Sequence, residues 1–294
     1  MSQKHRIIND ILNRLGKNDQ AQNSTTNPNE ATVDGPNSTS TASHVERMLN
    51  SKTDILLGEG WYFNIKWGVD ITLDGNNKAE VGRLETKAAV NISGISEANP
   101  AVVTTSTNHK LQTGDRVYIA SVAGMTEVND RYYTVKYLTD TTYSLDGVNS
   151  TGYTTWTSGG TSTGLYKIYH VDTWGSDASI NVVRQGEYLY DQDDNEDIHG
   201  GDMKVTYIYE VDWTEIPQPF VEYLTACTAY YFNRAFLNNT NADAALSMEM
   251  MKSDASMRRA QTRQDDVNLL NTYEAAAIRG RSRYTTRRTN PLWP

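Results

Sequence analysis

The sequence predicts an α+β fold, and three observations carry that prediction. Apolar residues recur at helical spacing near both ends of the 294-residue chain, alternate with period two in between, and are interrupted by a turn-dense stretch at 91–163. The expected architecture is a helical bundle with a long C-terminal helix, an antiparallel β region and an inserted small all-β barrel. Helices are expected at 5–16, 44–58, 217–238 and 243–275, and the β region at 61–90 and 164–213. The barrel, 91–163, then interrupts a discontinuous body made of 1–90 and 164–294.

Ile7, Ile8, Ile11, Leu12 and Leu15 share one face of the first helix. Residues 17–42 are rich in Asn, Ser and Thr, and Val33 is their only large aliphatic side chain. Such a stretch buries too little apolar surface to offset its ordering entropy, so a long surface loop or linker is expected. Ser43 and Glu46 have the spacing of a capping box, in which each side chain satisfies a backbone donor at a helix start. Val45, Met48, Leu49, Ile55 and Leu56 continue that helix towards Gly58 and Gly60. There the period changes to two. Trp61, Phe63, Ile65 and Trp67 fall on one strand face and Tyr62, Asn64 and Lys66 on the other. Alternation with polar residues marks the first four as structural core rather than a sugar-binding face.

Val69, Ile71 and Leu73 alternate up to a hairpin turn at Asp74–Asn77. Further strands are expected at Tyr166–Val171, Ile180–Arg184, Tyr188–Asp191 and Lys204–Trp213. In the last of these Val205, Tyr207, Tyr209, Val211 and Trp213 share a face. Pro217 and Pro219 open the third helix, where a missing N–H is harmless, and Phe220, Leu224, Cys227 and Tyr231 form its stripe. The fourth helix has sparse apolar positions, among them Leu246, Met250, Met257 and Ala260. It is expected to lie against neighbours or to bridge to another subunit. Inside 91–163, Val102/Thr104, Val117/Ile119, Tyr133/Val135/Tyr137 and Tyr143/Leu145 mark short strands between glycine turns.

Charge and chemistry narrow the function. The formal net charge is −9, but residues 258–294 carry +5 and the remainder −14, so a general nucleic-acid surface is disfavoured. Cys227 is the only cysteine, which excludes an intramolecular disulfide or a cysteine-based metal site. Met1–Leu15 lacks the apolar core of a secretory signal, and no run approaches the ~18 apolar residues of a membrane span. Synthesis in a reducing cytoplasm and no membrane contact are expected.

Asp191, Asp193, Asn195 and Asp202 occupy positions 1, 3, 5 and 12 of a loop that could suggest calcium. However, Glu196 stands where the turn glycine belongs and strands flank the loop, so a polar hairpin loop is the favoured reading. His5, His44, His109, His170 and His199 are scattered, and no nucleophile, phosphate-loop or dinucleotide motif occurs. The expectation is no enzyme, no catalytic residue, no metal and no cofactor. The basic end, with Arg279, Arg281, Arg283, Arg287, Arg288 and Trp293, suggests docking on an acidic protein surface.

Several segments together resemble a known family. Gly60-Trp-Tyr-Phe-Asn64 follows a helix. Gly186-Glu-Tyr-Leu-Tyr-Asp191, Ile216-Pro217 and Ala229-Tyr-Tyr-Phe-Asn-Arg-Ala235 then precede a long polar helix and an Arg-rich end. This order is similar to tail tubular protein A, the adaptor or gatekeeper family of short-tailed phages, over about 1–90 and 164–294. The resemblance implies a virion tail protein forming a homo-oligomeric, dodecameric ring between portal protein and tail nozzle protein. Viral DNA would pass through the channel without specific binding during ejection. It also implies that the C-terminal helix and arginines contact the portal.

Asn99-Pro-Ala-Val-Val103, Thr113-Gly-Asp-Arg-Val-Tyr-Ile119 and Leu145-Asp-Gly-Val-Asn-Ser-Thr-Gly-Tyr153 resemble a second family. This is the first catalytic-cysteine half-domain of ubiquitin-activating enzymes, a β-barrel module also found in phage structural proteins. The insert has no cysteine, so no thioester chemistry carries over, and an outward decoration or tail-fibre contact is implied. The alternative reading is a tail receptor- or glycan-binding protein that uses the aromatic insert as its binding face.

Overall fold

A computed structural model describes residues 3–16, 41–71, 73, 76–174, 181–195 and 203–269, with side chains to residue 263. Four helices, a three-stranded sheet, a β-hairpin and a closed six-stranded barrel make up this α+β structure.

Helix α3 (Gln218–Phe232) is buried over the whole run Leu224–Ala229, so its middle is enclosed all round, with Thr225 and Thr228 donating to backbone carbonyls one turn back. A helix of that kind must be covered on several sides. α1 (Gln3–Arg14), α2 (Thr41–Gly58) and α4 (Thr240–Leu269) all pack on it. Their shared core includes Ile8, Ile11, Val45, Leu49, Leu57, Phe220, Leu224 and Met257. α3 continues as one π-helical turn, Asn233–Leu237, which ends where Asn238 takes φ +47°. The single helix expected at 217–238 thus runs unbroken from Gln218 to Leu237, with its last turn π-helical. The last helix starts at Thr240 rather than 243; residues 270–275 lie outside the described residues, as does most of the expected 17–42 linker.

The expected capping box does not form. α2 already begins at Thr41, so Ser43 lies inside the helix and is buried. Glu46 instead accepts an ion pair from Lys4 of α1 at 2.8 Å, both side chains largely removed from water.

The largest departure from expectation is the corner between α2 and the sheet. Trp61–Asn64 is a turn, not the start of a strand, and β1 begins at Ile65. Gly60 takes φ +78° to end the helix. The Asn64 amide N–H donates to the Trp61 carbonyl at 2.9 Å, closing the turn. Asn64, expected on a solvent face, is completely buried. Its side-chain oxygen accepts the Trp61 N–H at 2.6 Å, while its Nδ2 donates to the carbonyls of Leu57 at 2.8 Å and Tyr209 at 3.1 Å.

β1 (Ile65–Ile71), β8 (Ile168–Thr173) and β11 (Met203–Tyr209) form an antiparallel sheet in the order β1-β11-β8. β9 (Val182–Gln185) and β10 (Tyr188–Asp191) form the hairpin. Ile71, Val171, Leu189, Val205 and Tyr207 make up their core. The run expected as one strand from Lys204 to Trp213 stops at Tyr209. Beyond it Val211 and Trp213 join the helical core, so one period-two stripe serves two cores.

The barrel runs from Val90 to Leu165 through β2 (Val90–Ile95), β3 (Val102–Thr105), β4 (Arg116–Ala123), β5 (Arg131–Thr139), β6 (Thr142–Leu145) and β7 (Ser158–Leu165). It closes in the order β2-β3-β6-β5-β4-β7, which leaves no free edge. Val103, Val117, Ile119, Val135 and Leu145 fill it, and the buried Tyr143 hydroxyl meets Ser162 Oγ at 2.6 Å. On β3 the inward pair is Val103 and Thr105, one residue out of step with Val102 and Thr104.

Asn64→Ala would leave the buried Trp61 N–H without its partner and remove one bond each from the carbonyls of Tyr209 and of Leu57, the latter still accepting the Gly60 N–H at 3.1 Å, a loss of about 2–4 kcal/mol. Asn64→Asp would do no better, because a carboxylate cannot donate to Leu57 or Tyr209. Thermal or urea denaturation of both variants checks this. An Asp variant as stable as the native chain would rule out the donor role.

Candidate functional site

The residues singled out by sequence are not brought together. Arg279, Arg281, Arg283, Arg287, Arg288 and Trp293 lie outside the described residues. Of the expected aromatic core, Trp61 is 5% exposed and contacts Phe220 edge-on, and the partly buried Phe63 packs on the same ring. Ile65 is half-buried. Trp67 is 62% exposed, which overturns its assignment to the core. The reason is the turn at 61–64: alternation starts only at Ile65, after the buried aromatics. In the loop considered for calcium, 196–202 lie outside the described residues. Asp191 Oδ1 there accepts the backbone N–H groups of Asp193 at 2.8 Å and Asp194 at 3.3 Å, an ordinary use of aspartate in a turn. Among the described residues no group of His, Cys, Asp and Glu could hold a metal ion.

What the structure does assemble is a polar joint between the barrel and the rest of the chain. The two connecting segments run side by side. Thr86 pairs with Leu165, the Lys87 N–H donates to the Gly164 carbonyl at 2.8 Å, and the Tyr166 N–H donates to Glu85 at 3.1 Å. The cores of barrel and sheet share no residue, so charged and aromatic side chains bridge them. Lys87 Nζ reaches Asp115 at 2.8 Å, with both side chains about four-fifths buried. Arg116 pairs with Glu187, and its guanidinium lies 5.3 Å from the Tyr132 ring. The Tyr132 hydroxyl donates to Glu80, and Arg83, bonded to Glu80 at 2.9 Å, sits 4.3 Å over Tyr118.

Burial dominates the electrostatics of this joint. It pulls the Lys87 ammonium down, but Asp115, Glu210 and Asp212 more than offset that, and the group stays protonated above its usual range. Burial, reinforced by Asp115, pushes the Glu210 carboxyl up. Burial and the hydrogen bond to Glu80 push the Tyr132 phenol well up. Glu187 sits tightly against Gly82: a Cβ there would lie 2.0 Å from its Oε2, so a larger residue would displace the carboxylate from this position. Beside these pairs lies a cleft of about 420 Å³, bounded by Asp54 of α2, Gln112–Arg116 of the barrel, and Lys167, Glu210 and Trp213. Asp54 is engaged by Lys167 Nζ and by the Tyr169 hydroxyl, each at 2.8 Å. The arrangement positions one part of the chain on another. It places no nucleophile beside a general base.

Sequence reasoning missed this joint, although a signal was present. Glu80, Arg83, Glu85 and Lys87 are densely charged immediately before the barrel, where a flexible linker would carry Gly, Ser or Pro. Lys87→Met keeps the apolar stem and removes the charge. It is expected to cost about 1–2 kcal/mol and to speed hydrogen exchange at Gln112–Asp115 while leaving the protection of β4 and β5 intact. Equal loss of protection throughout the barrel would show that the joint and barrel core are one unit.

Two comparisons bear on the parts just described. Residues 98–165 match the ubiquitin-activating enzyme E1 FCCH domain family. No curated protein matches the chain. Residues 167–267 match the tail tubular protein family, so the chain joins an FCCH-type barrel to a tail tubular protein segment that begins where the barrel ends.

Proposed function

We propose that the protein is a structural, non-enzymatic adaptor of a phage tail. Its copies would form a dodecameric ring between the portal protein and the tail nozzle protein, around the DNA channel. The single observation that carries this reading is the tail tubular match over 167–267, which spans β8 through most of α4. The barrel is then an inserted domain projecting outward, as a decoration or tail-fibre contact, and the polar joint sets its direction.

Two physical features support the reading. Excluding 258–294, the chain carries −14, so a surface of that sign can border DNA without holding it. Helix α4 is two-faced. Leu246, Met250 and Met257 turn towards the protein, while Ala244, Met248, Met251 and Ala255 form an exposed stripe at spacings of four, three and four. Met248 and Met251 are 58% and 65% exposed, an expensive arrangement for a helix that stays in water. A neighbouring subunit packed on that stripe accounts for it. The C-terminal arginines and Trp293 then dock on the portal.

Two outcomes are expected. Met248→Glu with Met251→Glu leaves the monomer folded, because both positions are exposed, and abolishes self-association in sedimentation. Deleting 279–294 leaves ring formation intact but prevents co-purification with portal protein. Unchanged portal capture by the truncated chain would remove the docking role of the arginines.

A further inference from the structure

The outer face of the three-stranded sheet carries an aromatic pair that the adaptor reading does not use. Val205 and Tyr207 of β11 point into the core, so alternation turns Lys204, Thr206 and Ile208 outward. The register places Trp174 beside Lys204, Asp172 opposite Thr206 and His170 opposite Ile208 on one side. On the other side lie Asp70 and Trp67. Trp67 and Trp174 are 62% and 42% exposed, with ring centroids 5.4 Å apart and planes at 64°.

The backbone is built to hold them. β1 contains an extra residue between Lys66 and Val69, and Gly68, at φ +61°, occupies that bulge. A Cβ on Gly68 would lie 3.0 Å from the Trp174 indole, so that ring rests on the bare backbone while Trp67 meets it edge-on. Opposite the bulge, Thr206 Oγ1 is shut off from water and has no hydrogen-bond partner among the described residues. A hydroxyl buried without a partner is costly, and this one lies on β11 between the strands that carry the two indoles.

The size and rim of the patch indicate its ligand. At the other end of the face Ile208 and Ile65 pack against Gly60, where a Cβ would lie 2.8 Å and 3.2 Å from them, and both are only partly exposed. Among the described residues the two indoles are the strongly exposed apolar side chains of this face, together showing roughly 250 Å² of surface. A stable protein interface needs about 800 Å² on each side with an apolar centre. Here the rim is polar: the Asp70–Lys204 pair at 2.6 Å, together with exposed His170 and Asp172. A ligand with an apolar C–H face and hydroxyl edges suits two angled indoles ringed by two carboxylates, an ammonium and an imidazole. We propose that Trp67 and Trp174 form a binding site for a short oligosaccharide.

The test is titration of the full chain with chitohexaose, cellohexaose, maltohexaose and delipidated lipopolysaccharide, followed by calorimetry and tryptophan fluorescence. At least one saccharide is expected to bind, with affinity lowered about tenfold or more by Trp67→Ala or Trp174→Ala and unchanged by Trp156→Ala in the barrel. Both substituted positions are exposed, so the fold should survive, and circular dichroism verifies it. Absence of binding by every probe would overturn the proposal, as would binding that survives both substitutions or is lost with Trp156→Ala. Protection of Trp67 from N-bromosuccinimide in assembled tails, without saccharide binding, would also overturn it and make the pair a protein contact.

Discussion

The side chain of Asn64 is the point on which the architecture turns. It ties the last turn of α2, the corner at Trp61 and the end of β11 through one acceptor and two donor bonds, those to Trp61 and Leu57 buried and that to Tyr209 part-buried. The backbone of the same residue adds a fourth link, since the Tyr209 N–H donates to its carbonyl at 3.1 Å. A buried amide with every bond made is rigid, because any slip of sheet against helix would expose an unpaired group in an apolar setting. Trp61 strengthens the corner by donating its indole N–H to Leu56 at 2.6 Å while its ring packs on Phe220. Helical layer and sheet are thus locked in a single orientation by one residue and its neighbour.

The barrel is attached by different means. Its core closes on itself, and what meets the sheet is a set of ion pairs and cation–ring contacts centred on Lys87, Arg116 and Arg83. Ion pairs of this partial burial contribute less than apolar packing but are directional, and Arg fixes geometry through its planar fork. Such a joint can orient a closed barrel without making the stability of either side depend on the other. That suits a module carried by an unrelated framework. It also fits the way one family match ends at residue 165 and the next begins at 167.

Helix α4 and the Trp67–Trp174 pair show surface that the monomer does not satisfy by itself. On α4 the inward seam is met by α3, while the outward seam, at similar spacing, faces water. On the sheet, a bulge glycine lets the Trp174 indole settle on bare backbone beside the exposed Trp67. Both cost exposed apolar surface, but they differ in kind. The first is a continuous stripe along a helix, and the second is a small aromatic spot with a polar rim. That difference separates an extended partner from a compact ligand.

Much of this was legible in the residues taken one after another. Helical spacing located α1 and most of the core face of α2, although Ile55, placed on that face, is 58% exposed; dense turns marked the barrel, and Tyr188–Asp191 was placed to the residue, because local periodicity reports which face of an element is apolar. The order of short motifs carried the family resemblance for the same reason. Periodicity cannot say where a strand begins, so Trp67 was assigned to the core and Asn64 to the surface, the reverse of what they do. Nor can it see pairings between residues far apart in the chain: Glu46 with Lys4, Arg116 with Glu187, or Trp174 on Gly68. Local composition thus determined the elements and their class. The corner, the joint and the exposed indoles were decided only by tertiary structure, because each depends on how elements distant in sequence close over one another.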